Sequence, residues 1–247
     1  MPRKRTEPFL RAVRAEGLPE RGWPWELPAV RALESGLDLD APVVMLCGDN
    51  GTGKSTIVEA LAAELGINVE GGSRNFRFAT RETATPLAEH LVVVRRAGPR
   101  PVDSFFLRAE TYFNVATEVE RLGGPLDAYG GVSAHERSHG EGFLDLATHR
   151  FRPGGLYLLD EPESALSVHG CLALLAVIAD LAASGAQFIV ATHSPILLAC
   201  PGALRYETGA DGVAPVGYDE AGPVRLTRDF LDDPQRFLHH LLAGGDR

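Results

Sequence analysis

The chain has 247 residues, 45% of them hydrophobic and 23% charged, and a formal net charge of −9. That length buries a substantial core, the composition is that of a globular protein, and no run of about 18 apolar residues exists to span a bilayer. The acidic balance argues against a protein held to nucleic acid by a general positive field, although Arg74, Arg77, Arg81, Arg95, Arg96 and Arg100 are near enough in sequence to form a local basic patch.

Residues 1–40 read as an opening β-region followed by the Pro/Trp-rich segment GWPWELPAVRAL. The basic start, MPRKRTEPFLRAVRAEG, lacks the apolar segment of a secretory signal. APVVMLCG (41–48) is a buried strand by its length and valine content. KSTIVEALAAELG then predicts a helix, with Ile57, Leu61 and Leu65 on one face and Gly66 as its stop. Between 67 and 137 the best strand candidates are GSRNFRFAT and HLVVV, and TYFNVATEVERL (111–122) predicts a helix. GGLYLLDE (154–161) is a second buried strand, 164–184 a long helix, and QFIVATH (187–193) a third buried strand. LRYETGADGVAPVGY predicts a hairpin around Ala210-Asp211-Gly212, and RDFLDDPQRFLHHLL is helical with a break before Pro234. The expected organisation is one α/β domain over 1–247. Apolar strands alternating with helices predict a mainly parallel sheet covered on both faces, with ligands at the carboxyl ends of its strands.

Cys47, Cys171 and Cys200 have no metal-like spacing, and an odd count argues against a disulfide framework. A reducing cytoplasm is the expected compartment. His135, His139 and His149 have no spacing that supports zinc.

Three motifs fall at strand ends. GDNGTGKST (48–56) matches G-x-x-x-x-G-K-[ST] after a strand and at the opening of a helix. Gly48, Gly51 and Gly53 let the backbone wrap so that its amides point at phosphate oxygens, and the helix adds its positive end. Lys54 supplies a charge for the β- and γ-phosphates, Ser55 offers a hydroxyl to Mg²⁺, and Asn50 and Thr56 complete the ATP-binding set. Lys4 and Lys54 are the only lysines in an otherwise arginine-using chain, so a lysine here by chance is improbable. In LYLLDEPESAL (156–166) Asp160 at a buried strand end suits Mg²⁺, and Glu161 beside it suits the general base that polarises a water. FIVATHSP (188–195) ends the third strand at His193, where an imidazole can donate to the γ-phosphate.

With GDNGTGKST, LYLLDEPESAL and ATHSP in this order, the chain resembles the ABC-type ATPases, closest to their AAA-labelled, SMC-like soluble branch. The resemblance runs from PFLRAV to FLDDPQRFL. It implies a P-loop fold with a mainly parallel sheet core, a small antiparallel β part and a helical, signature-bearing subregion within 67–150. It implies ATP and Mg²⁺ as cofactors, catalytic roles for Lys54, Glu161 and His193, and a D-loop at Glu163-Ser164-Ala165-Leu166. The family signature is usually Leu-Ser-Gly-Gly-Gln. Here Arg137, His139 and Glu141 replace its first, third and fifth residues, while Ser138 and Gly140 remain. In that family Ser138 would reach the γ-phosphate of ATP held by a second copy, and Gly140 would bring the helix amides close; Ser138 with Glu141 also forms a capping box. In the Q-loop slot, SFFLRAETYF (104–113), no glutamine matches and Glu110 is the nearest substitute. Trp23 or Trp25 would stack on adenine or pack in the core.

The resulting expectation is a Mg-dependent ATPase working as an ATP-gated homodimer in DNA repair, defence or regulation. Nucleic acid and a further protein partner stay open. The ATP-binding subunit of a membrane transporter is the main alternative, weakened by the altered signature and the missing glutamine. A P-loop kinase or GTPase is a further rival, lacking the N-K-x-D guanine motif.

Overall fold

The computed structural model describes residues 7–68, 72–73, 85–98, 100–108 and 139–243. Strand β1 (Leu10–Ala15) is followed by helix α1 (Pro28–Ala32), which Pro28 opens at a position where its missing amide costs nothing. After β2 (Leu37–Asp38) comes β3 (Val43–Gly48), buried along its whole length, then α2 (Lys54–Glu64). Gly66, at φ 69°, ends α2 where the sequence predicts, its amide donating to Ala63 O at 2.9 Å and that of Ile67 to Ala62 O at 2.8 Å. Next are β4 (Gly72–Ser73), β5 (Leu91–Arg95) and β6 (Ser104–Arg108).

The second half runs through α3 (His139–Arg150), β7 (Leu156–Asp160), α4 (Val168–Ala183), β8 (Gln187–Ala191), α5 (Pro195–Leu198), β9 (Leu204–Gly209), β10 (Gly212–Pro215), α6 (Gly222–Asp232) and α7 (Pro234–Ala243). The hairpin turns at Ala210-Asp211. The break before Pro234 is real, and Asp233 Oδ1 accepts the Arg236 amide at 3.1 Å to start the last helix.

Two expectations need correction. The helix predicted over 164–184 begins only at Val168, after a 3-10 turn at Pro162–Ala165. Leu166 is extended (φ −115°, ψ 143°), and Ser167 Oγ takes the Gly170 amide at 3.1 Å, so the cap sets the start. SFFLR, assigned to the Q-loop slot, is strand β6, paired in parallel with β7 from Ser104↔Leu156 to Arg108↔Asp160. The helix predicted over 111–122 lies outside the described residues.

Among the described residues seven strands form one sheet in the order β10-β9-β3-β8-β7-β6-β4, in which β9, β3, β8, β7 and β6 are parallel and the two outer strands antiparallel. β2, β1 and β5 form a small antiparallel sheet. This is the expected α/β class: a mainly parallel core with a small antiparallel β part. Side chains alternate between two apolar cores. Leu46, Leu158 and Ile189 face α1, α2 and the small sheet, while Met45, Tyr157 and Phe188 face α3 to α6.

Gln187 joins the two sheets. Fully buried, it accepts the Leu10 amide at 2.8 Å and donates to the carbonyls of Leu10, Leu39 and Ala41 at 3.1, 2.8 and 3.2 Å. A Gln187→Leu variant leaves those backbone groups unpaired in the interior. Its unfolding free energy in urea is expected to fall by about 1–3 kcal/mol, with an unchanged m-value.

Candidate functional site

The parallel register fixes where the chemistry stands. Arg108 is opposite Asp160, Asp160 opposite Ala191, Leu46 opposite Ala191, and Gly48 opposite Thr208. The carboxyl ends of β6, β7, β8, β3 and β9 therefore form one edge, from which the loops at 48–53, 161–167 and 192–194 emerge.

The 48–53 loop folds as the spacing predicts. Gly48 has φ 125°, and a Cβ there would lie 2.1 Å from Thr208 O, so only glycine allows β3 and β9 to approach. Thr52 Oγ1 lies 2.8 Å from Asp49 O and 2.6 Å from Thr208 Oγ1, itself 2.9 Å from Cys47 O, so the two hydroxyls share two protons over a chain of three contacts. These bonds pin the loop to β9. Gly53, at φ 105°, is the residue before α2 and packs under Leu27 and Ala29. Asn50 and Gly51 are exposed at the rim; Ser55 and Thr56 lie half-buried in the first turn of α2. Lys54 is only 3% exposed and curls over the loop, its Nζ donating to Gly48 O at 3.0 Å and Asp49 O at 2.8 Å. Burial pushes its ammonium below the ordinary lysine range, and the nearby Glu161 and Asp160 charges pull it partly back. Cys47, beneath the loop, has its thiol pushed up to about 12 by burial and is no nucleophile at neutral pH.

The acidic strand end separates its two carboxylates. Asp160 is 2% exposed; its Oδ2 accepts from Arg108 Nε at 2.7 Å, while Oδ1 is buried with no hydrogen-bond partner. Arg108 Nη2 also donates to Glu59 Oε2 at 3.0 Å, tying β6 to α2. Glu161 has φ 47° and ψ 51°, and among the described residues no other non-glycine has a positive φ. That left-handed conformation turns the chain out of β7, at a strain cost seen most often at functional sites. The Glu161 side chain is 40% exposed and its Oε1 lies 3.5 Å from His193 Nε2, a distance too long for a good hydrogen bond. His193 Nε2 is otherwise buried without a partner.

The structure thus brings Lys54, Asp160, Glu161 and His193 to the sheet edge that also carries Ser55. A buried carboxylate oxygen without a hydrogen-bond partner, on the sheet edge that also carries the Ser55 hydroxyl, is hard-oxygen chemistry that fits magnesium. Reading the sequence missed Arg108 and the grip of Glu163 on residues 192–194. A lone arginine closing a strand beside an acid-ended strand is the available signal, visible only once SFFLR is recognised as a strand.

Other expected residues separate. Gly140 lies in the first turn of α3, whereas Ser138 and Glu110 lie outside the described residues. Trp25 is buried and meets the His90 ring edge-on at 4.9 Å, a core role, while Trp23 is 67% exposed and free to stack. His149 Nδ1 pairs with Asp145 O at 2.8 Å within its own helix, and no metal-holding group of histidine, cysteine or carboxylate residues occurs among the described residues. Of the arginine patch, Arg96 is held by Asp40 and Glu7, and Arg74, Arg77 and Arg81 lie outside the described residues. No helix among the described residues is long and apolar enough to cross a membrane.

Two family profiles match. One, described as "AAA domain, putative AbiEii toxin, Type IV TA system", matches residues 126–199; the other, described as "AAA domain", matches residues 31–91. The "Cytochrome c biogenesis ATP-binding export protein CcmA" of Rhodopseudomonas palustris is 30% identical over 184 residues, which span 67% of this chain and 86% of that protein. Its counterpart in Nitrobacter hamburgensis is 30% identical over 183 residues, 68% of this chain and 88% of that protein. Among solved structures, the SMC head domain from Thermotoga maritima aligns with TM-score 0.47 at 16% identity, covering 85% of this chain and 99% of that one. "An inward-facing conformation of a putative metal-chelate type ABC transporter" aligns with TM-score 0.49 at 18% identity, covering 84% and 83%. With a phosphate-loop sequence after β3 and an acid-ended β7 on the same sheet edge, separated by β8 alone, and relatives covered over most of their length, the chain belongs to the ABC-type, AAA-labelled ATPase family.

Proposed function

We propose that this chain binds and hydrolyses ATP with Mg²⁺, two copies closing on each other when ATP is bound. The observation that carries this reading is Asp160 Oδ1: a carboxylate oxygen buried without a partner, on the strand edge that holds Lys54. Asn50, Gly51, Gly53 and Thr56 would line the phosphates with backbone amides. Lys54, partly dehydrated and flanked by Asp160 and Glu161, would exchange its loop carbonyls for phosphate oxygens. Ser55 and Asp160 would hold Mg²⁺, which when bound supplies charge to the β- and γ-phosphate oxygens. Glu161, half-exposed beyond the edge, would take the proton of the attacking water as general base. His193 Nε2 would donate to the γ-phosphate. Ser138 and Gly140 would serve the ATP of the other copy. Repair, defence and regulation remain the candidate processes; the toxin–antitoxin wording of the matched family favours defence.

The second reading, an ATP-binding subunit of a transporter, is favoured by the printed names of the relatives. Co-purification with a membrane permease would establish it.

ATPase activity per molecule is expected to rise with protein concentration as dimers form. Lys54→Ala should lower turnover by about 10²–10³, and Glu161→Gln should dimerise with ATP, read by gel filtration with light scattering, while barely turning over. A monomer with full activity at high dilution overturns the shared site. Arg108→Met removes the partner of a buried carboxylate, so unfolding free energy should drop by about 3 kcal/mol. Added Mg²⁺ should restore part of that loss by supplying the missing positive charge, read as a Tm recovery with and without the ion.

A further inference from the structure

Glu163 sits in the 3-10 turn Pro162–Ala165, but its side chain belongs to the end of β8. One oxygen, Oε1, accepts from three consecutive residues: Thr192 Oγ1 at 2.7 Å, the His193 amide at 2.5 Å and the Ser194 amide at 3.1 Å. Thr192 is fully buried, and its Oγ1 accepts the Ser194 amide at 3.0 Å as well. Ser194 Oγ then accepts the Leu197 amide at 3.4 Å and opens α5. On the other side, the Ser164 amide and hydroxyl both donate to Glu161 O, at 3.1 and 2.9 Å, and the Leu166 amide donates to Glu163 O at 2.9 Å. The Glu161 amide donates to Ala191 O at 2.9 Å.

These bonds close a ring. Glu161 leads by backbone to Glu163, Glu163 grips the amide of His193, and the His193 ring returns to within 3.5 Å of Glu161. Sheet pairing alone does not place the His193 ring, because β8 ends two residues earlier at Ala191. Charge-assisted bonds to backbone amides are the strong kind, so a carboxylate with three donors on one oxygen defines that turn more firmly than any apolar contact would.

We propose that Glu163 is the positioning residue for His193: it fixes the imidazole against Glu161, so that displacement of the 162–165 turn is passed to the histidine. The assignment rests on the ATPase reading for its catalytic consequence and on hydrogen bonding alone for the clamp. Two variants and two readouts test it. Glu163→Ala removes the acceptor, whereas Glu163→Gln retains an oxygen that can accept the same three bonds.

In steady-state assays Glu163→Ala is expected to lower kcat by about 10²-fold, the scale on which a misplaced group acts. KM for ATP should stay within about threefold, because Lys54 and the loop amides still hold the phosphates and a single γ-phosphate donor shifts, and Glu163→Gln should recover most of the kcat. Without nucleotide, hydrogen exchange at the His193 and Ser194 amides should accelerate in Glu163→Ala but not in Glu163→Gln. Unchanged exchange in Glu163→Ala, equal damage in both variants, or a parallel loss of ATP binding and Tm each overturns the proposal. A wild-type protein no more active than Lys54→Ala would instead remove the ATPase reading, and the exchange measurement would still decide the clamp.

Discussion

A carboxylate taken almost wholly out of water at the tip of an apolar strand is the constraint around which the site is arranged. Asp160, 2% exposed, would cost several kcal/mol if left without countercharge. Arg108 supplies that charge on Oδ2 from the neighbouring strand and reaches on to Glu59 on α2. Burial works against the Arg108 cation, yet Asp160 and Glu59 hold its pKa above the usual value. One guanidinium thus fixes two strands and the helix that begins at Lys54. The compensation is also one-sided. It leaves Oδ1 without a partner and gives the strand end a direction: the protein's own cation on one oxygen, none on the other.

Backbone geometry then divides labour between adjacent acids. Were Glu161 to continue β7, its side chain would enter the opposite core among apolar groups. Its left-handed conformation, which costs on the order of 1–3 kcal/mol, turns the chain instead and leaves the carboxylate 40% exposed. Its amide on Ala191 O and its carbonyl under Ser164 hold that conformation in place. Two carboxylates one residue apart therefore occupy unlike environments, one locked to a guanidinium and one facing an imidazole. Separate environments are what let paired acids take separate roles.

Much of this edge was legible because it is written locally. β3, β7 and β8 are short apolar runs, α2 has a three-to-four-residue apolar period and a glycine stop, and the phosphate loop is a contiguous spacing. What was not legible depends on partners far away in sequence. Arg108 and Asp160 are 52 residues apart, Gln187 and Leu10 177, and Glu163 and His193 30. SFFLR is five residues ending in arginine, and its identity as a strand comes from pairing with β7 rather than from any period. The late start of α4 turns on one serine hydroxyl against a stretch whose alanines and leucines suit a helix from the outset. Trp25 shows the same limit: an aromatic ring reads alike whether it meets a base or a core, and only its burial against His90 decides.

The strand ends are rigid, since five parallel strands and two apolar cores hold them, so a site built there has little freedom of its own. Under the ATPase reading, any response to another chain has to enter through the loops, and at this edge each loop meets the chemistry through a side chain. Arg108 closes β6 immediately before residues 109–138, where Glu110 and Ser138 lie in sequence, and its guanidinium rests on Asp160. Glu163 lies in the turn that runs toward α4 and holds the amide of His193. A displacement on the first route would be felt by Asp160, and on the second by His193. On that reading the two routes would act on different steps, phosphate and metal holding against alignment for hydrolysis. That separation would let two copies bind ATP without at once hydrolysing it, which an ATP-gated pair requires.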